Sequence, residues 1–143
     1  MSIIRPSFRV KDYLGVPFLP HGRSRSGADC WGLVYILYQE VYSIGIRSYA
    51  GEVGDIHCPL QSGPVFDRHR RGGAWVRTAR PVRGDLILWR AGKIPFHVAI
   101  FLSEKEMLHT IRGAEVQVMD YPSAAWPRHR IEGFYCHKSL VGI

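Results

Sequence analysis

The sequence predicts an α+β fold built on an antiparallel sheet. Residues 30–43 are apolar nearly all round, as a buried helix is. From Val82 onward, short runs rich in β-branched and aromatic residues alternate with brief turns, as neighbouring strands do. A helix followed by a run of strands gives an α+β arrangement with antiparallel pairing. The length of 143 residues fits one domain, 1–143.

Residues 7–14, of mixed polarity, predict a short helix ending at Gly15. Residues 15–29 carry the Gly, Pro and Ser content of a loop. The helix over 30–43 has Asp29 placed to cap it. Residues 44–80 show no period and read as a long irregular insertion or loop. Strands follow at 85–89, 97–102, 107–111, 115–119 and 131–136, and residues 103–106 form a hairpin loop.

Composition narrows the class. Apolar residues at 46% and charged residues at 22% are ordinary globular usage, which excludes disorder, coiled coil and collagen. No apolar run reaches the roughly 18 residues of a membrane span. Residues 1–11 have no apolar core of a signal peptide, so the expectation is cytoplasmic synthesis without a leader. Nineteen Lys and Arg against twelve Asp and Glu leave a net charge of +7, densest at Arg68-His69-Arg70-Arg71. That balance suits contact with an anionic polymer or a solvated basic loop. The aromatics fall in apolar runs that read as core, so nucleic acid is not the expected partner. Cys30, Cys58 and Cys136 form no disulfide framework, and no CxxC occurs. The pairs His57-Cys58 and Cys136-His137 match no common zinc spacing, so no metal is expected.

Cys30 stands in the first turn of the predicted helix, where unpaired N–H groups and the helix dipole favour a thiolate. Its alternative is an inert buried thiol. A nucleophilic cysteine needs a base and a group to orient that base. His97 opens one strand and His109 lies in the next. Pairing those strands through 103–106 puts His97 roughly opposite His109 or its neighbours. Period-two alternation gives His97, Ala99 and Phe101 one face. His57, His69, His129 and His137 are expected at the surface, Trp75 and Trp89 in the core.

Gly15-Val16-Pro17-Phe18, Gly22 and Gly27-Ala28-Asp29-Cys30-Trp31-Gly32-Leu33 together resemble the signature of the NlpC-type cell-wall cysteine peptidases. Arg83-Gly84-Asp85-Leu86 resembles the Gly-Asp that opens that family's first strand. Phe96-His97-Val98-Ala99-Ile100-Phe101-Leu102 resembles its base-bearing strand, and Met107-Leu108-His109 the strand of its third residue. The resemblance runs over roughly residues 8–136. Trp31, and Ala125-Trp126 leading to Ile131-Glu132-Gly133-Phe134-Tyr135, look most like the branch found with phage tails and gene-transfer particles.

The resemblance implies a papain-like fold with the nucleophile helix packed on a central antiparallel sheet. It implies hydrolysis of the D-glutamyl to diamino acid bond of peptidoglycan stem peptides, with no cofactor. Cys30 is then the nucleophile, His97 the base and later the acid, and His109 the orienter. Asp29, Phe18, Trp31 and His21 are the candidate substrate-binding residues. Phe18 stands where many members carry a tyrosine whose hydroxyl helps at the oxyanion, and Tyr13 or His21 are the candidates to replace it. Trp31 stands where wall-recycling members carry a serine that binds a free L-alanine amine together with the preceding Asp. The implied partners are the stem peptide and phage tail proteins, and the implied location is a virion tail or, after release, the cell wall. Two alternatives stay open: an antibacterial or other amidase, deamidase or acyltransferase using the same Cys-His-His set, and a non-catalytic tail structural protein.

Overall fold

Asp29 and the apolar run after it build α1, Cys30–Tyr42, the element that carries the nucleophile candidate. The Asp29 carboxylate accepts the Gly32 N–H, and Ser43 closes the far end in the left-handed conformation. Leu33, Val34, Leu37 and Tyr38 are all at most 1% exposed. Each such side chain stabilises the packed state by about 1.5–3 kcal/mol.

The computed structural model describes residues 4–50 and 73–143. A small hairpin, β1 (Arg23–Ser24) and β2 (Gly27–Ala28), leads into α1. The sheet comprises β3 (Trp75–Thr78), β4 (Leu86–Ala91), β5 (Ile94–Phe101), β6 (Glu106–His109), β7 (Gln117–Asp120) and β8 (Ile131–His137). Their order is β3-β8-β4-β5-β6-β7, antiparallel throughout. β8 is the last strand in sequence but pairs between β3 and β4.

Alternation divides the core. Leu86, Leu88, Val98, Ile100 and Leu108 pack with α1. Ile87, Trp89, Ala99, Phe101, Met107 and Tyr121 form a second cluster on the other face. Among the described residues, no helix is long and apolar enough to cross a membrane.

The expected α+β class holds, with local corrections. The expected helix over 7–14 is a single 3₁₀ turn, Val10–Asp12, and α1 is the only α-helix among the described residues. The expected irregular stretch 44–80 ends in β3, a four-residue edge strand paired to β8. The rest of that stretch, with Cys58, His57, His69 and the Arg-rich cluster, falls mostly outside the described residues. The run 115–119 starts its strand only at Gln117, because Val116 leaves the sheet. Its N–H donates to Val16 O at 2.9 Å, and its carbonyl accepts the Gly15 N–H at 3.1 Å. His137, expected at the surface, is 7% exposed: its ring lies edge-on to Trp75 at 4.9 Å, and its Nδ1 accepts the Ser139 N–H. Trp75 and Trp89 are core residues, 6% and 1% exposed.

Candidate active site

The β1–β2 hairpin delivers the chain to Cys30 by backbone-on-backbone packing. A side chain at Gly32 would meet the carbonyl of Gly22, so the first turn of α1 lies directly against the loop. Cys30 is 1% exposed. The amides of Val98 and Trp31 donate to its sulfur, which seats the thiol against β5 at the residue after His97.

The electrostatics of the thiol oppose the sequence expectation. Burial, and then the Asp29 carboxylate, push it up to about 12. The Val98 amide, the Arg23 guanidinium and the Trp31 amide act the other way without overcoming them. Helix-terminus stabilisation of an anion is real, but desolvation of a thiolate exceeds it here. The resting thiol is therefore protonated at neutral pH, and a nucleophile requires transfer of its proton to a base.

His97 and His109 come together as the alternation predicts. His97 Nε2 lies 2.9 Å from His109 Nδ1, with the rings near perpendicular. The two side chains are 1% and 0% exposed. Register irregularities in both strand pairs of β4 occur at Trp89, the residue paired with His97. Such bulges recur beside active sites, where they redirect side chains. Trp126 covers the pair, its ring centroid 5.0 Å from His97 and 5.1 Å from His109. It shields their hydrogen bond from solvent. Sequence reading found no role for Trp126 beyond the resemblance, since it sits on a loop far from both strands in sequence.

Burial lowers His109 to about 4, so it is neutral at pH 7. A neutral ring carries one N–H. With that proton on Nε2, His109 Nδ1 can accept from His97 Nε2–H. His109 Nε2 has no hydrogen-bond partner among the described residues.

This lowered value predicts an acid-sensitive fold. The unfolded chain protonates His109 near the ordinary 6.5, whereas the folded chain does so only near 4. Between those values the unfolded state binds more protons, so stability is lost as pH falls. The ceiling of that loss is about 3 kcal/mol. Urea unfolding at pH 7 and pH 4.5 should show a larger loss for the wild type than for His109→Gln, which cannot titrate. Equal losses would remove His109 as the cause.

The other candidate residues divide. Trp31 is 4% exposed, its Nε1 donates to Arg47 O at 2.8 Å, and its ring packs on Tyr49 and Trp75. It packs as a core residue. Asp29 is 0% exposed, and its oxygens accept from Gly32 N–H, His21 N–H and Arg23 Nη1. Both carboxylate oxygens are thus engaged within the protein. Tyr13 donates its hydroxyl to Glu40 at 2.8 Å and does not replace the missing tyrosine. His21 sits in a left-handed conformation (φ 62°) in the loop before Cys30, and its Nδ1 is buried without a partner among the described residues. Phe18 is half-buried under the Arg112 guanidinium. It lines an open groove of about 590 Å³ with Pro17, Gly113, Ala114, Glu115 and Gln117. Gln117 pairs with His109 across β6 and β7, so the groove adjoins the histidine pair. Among the described residues, no three His, Cys, Asp or Glu gather as a metal site.

A cysteine opening a buried helix, set against a strand whose histidine bonds a second histidine, is the side-chain set that a cysteine hydrolase uses. The chain belongs to the NlpC/P60 family, whose profile matches residues 15–134. It is 27% identical over 127 residues to the murein DD-endopeptidase MepH of Escherichia coli, covering 86% of this chain and 42% of that protein. It is also 27% identical over 138 residues to a probable endopeptidase of Haemophilus influenzae, covering 92% of this chain and 76% of that protein. An NlpC/P60 family protein from Bacillus cereus shares the fold, with a TM-score of 0.64, 23% identity, and coverage of 90% of this chain and 37% of that one.

Proposed function

We propose that this protein is a cysteine endopeptidase hydrolysing amide bonds in peptidoglycan stem peptides, between D-glutamate and the diamino acid. The observation that carries the chemistry is the 2.9 Å His97–His109 bond on the strand whose next residue, Val98, meets the Cys30 thiol through its amide. His97 Nδ1 takes the thiol proton as Sγ attacks the scissile carbonyl carbon. The carbonyl π bond opens to an oxyanion, for which the Cys30 N–H at the helix start is a donor. On collapse the C–N bond breaks and the leaving amine takes the proton from His97. Water then attacks the thioester, gives a proton to His97 and releases the acid, and the proton returns to sulfur. His109 Nδ1 holds His97 in the required tautomer through the cycle.

The Escherichia coli relative's name favours a second bond, the DD cross-link between stem peptides. The proposed delivery by a phage or prophage tail rests on the resemblance at Trp31 and Ala125-Trp126.

Mass spectrometry of defined peptidoglycan fragments, incubated with wild type and Cys30→Ala, tests the reading. Fragments split at D-glutamyl–diamino acid bonds by the wild type alone are expected. Split cross-links would move the assignment to the DD bond, and no Cys30-dependent product would remove the substrate. Presence of the chain in purified phage particles supports tail delivery, and its absence from them removes it.

A further inference from the structure

Arg23 stands seven residues before Cys30, in β1, with its side chain 12% exposed. Its Nη1 donates to Asp29 Oδ1 and to Gly22 O, each at 2.7 Å. Its Nε and Nη2 donate to Ser48 O at 2.9 and 2.8 Å. One guanidinium thus joins the loop before the nucleophile, the helix cap and the segment after the helix. The Asp29 carboxylate also takes the Gly32 and His21 amides at 2.8 Å.

A helix cap needs an acceptor, not a charge, since Ser or Asn caps as well as Asp. A carboxylate one residue before a nucleophilic thiol is a liability, because a like charge nearby disfavours the thiolate. We propose that Arg23 is a positioning residue for the reaction: it clamps Asp29 and cancels its charge, so that the Cys30 thiolate can form beside a buried carboxylate. Among the described residues, the charged groups that act on the thiol are Asp29 at the cap and Arg23 from β1, and His97 precedes Val98 on β5. β2 contributes only Gly27 and Ala28. Asp29 acts on the thiol to raise its pKa and Arg23 to lower it, as this arrangement requires.

The inference rests on Cys30 being the nucleophile, but its test needs no substrate. Alkylation of Cys30 by iodoacetamide is followed by mass spectrometry at a fixed pH near 9, where its rate reads the thiolate fraction, each protein being compared with the same protein carrying Cys30→Ser. Arg23→Met is expected to lower the rate about tenfold or more. Arg23→Lys, which keeps the charge, stays near wild type. Asp29→Asn raises the rate, and Arg23→Met with Asp29→Asn returns it towards wild type. A purely structural role for Arg23 would leave the double variant at least as perturbed as the single one. An unmoved rate in folded Arg23→Met, or a double variant that stays with it, overturns the proposal. Should circular dichroism show Arg23→Met unfolded, an Asp29→Asn rate that fails to rise overturns it equally. If the rates move as expected while no peptidoglycan is cut, the clamp stands and the substrate reading falls.

Discussion

Replacing His97 with alanine is expected to lower kcat on the cleavable fragment about 10³-fold or more, with KM little changed. The resting thiol, held up to about 12, is almost fully protonated at neutral pH. Without a base, the thiolate fraction at pH 7 is negligible, so the loss falls on the chemical step rather than on binding. Raising the pH should recover part of the rate in His97→Ala, because hydroxide then supplies the missing deprotonation. The paired residue behaves differently. His109→Asn offers a carbonyl oxygen to His97 Nε2–H and is expected to keep more activity than His109→Ala. Cys30→Ala with His97→Ala should be no worse than Cys30→Ala alone, since residues acting as a unit are not additive. Steady-state rates that stay within about threefold of wild type for His97→Ala, well short of the usual general-base contribution, would remove it from the mechanism.

The histidine pair was legible because its geometry is set by period two and by one short hairpin. Phe101 pairs with Met107 and Ile100 with Leu108, so His97 and His109 fall on one face by alternation alone. α1 was legible to within one residue because an unbroken apolar run follows a capping Asp. β5 begins three residues before its reading, at Ile94, since Pro95 argues against a strand. In the structure Pro95 pairs with Arg90 just past the irregularity at Trp89. β3 escaped because an edge strand of four residues offers only one buried side chain, Trp75, and so no period. The charge of Cys30 was misread for a different reason. Position in a helix is local and visible, whereas desolvation comes from tertiary burial, which no local pattern shows. The Arg23–Asp29 pair was missed likewise: a loop read by composition gives no register, and nothing in 15–29 says which of its two arginines turns inward. Arg25 turns outward, to Glu40 at 2.6 Å, with half its side chain in solvent.

Gly32→Ala separates local propensity from packing. In a helix interior Ala is favoured over Gly by about 1 kcal/mol, so propensity alone predicts a more stable protein. The structure predicts the reverse. The added Cβ would overlap the Gly22 carbonyl and lie 3.1 Å from Arg23 Nη1 and 3.2 Å from Ala28 Cβ. The first obstacle is backbone, held in turn by the Arg23 Nη1 hydrogen bond, and cannot swing aside as a side chain can. Relief requires the helix start and the hairpin to part, which also separates Asp29 from Arg23 and Cys30 from the Val98 amide. The strain should exceed the propensity gain and leave a net loss of about 2–4 kcal/mol. Gly45→Ala is the control, for nothing lies within 4 Å of its Cβ position and its φ is ordinary. It should stay within about 0.5 kcal/mol of wild type. Urea unfolding of the two variants, beside their cleavage rates, reads both effects. A Gly32→Ala protein as stable and as active as Gly45→Ala would mean that the nucleophile helix does not need this close approach to hold Cys30 against β5.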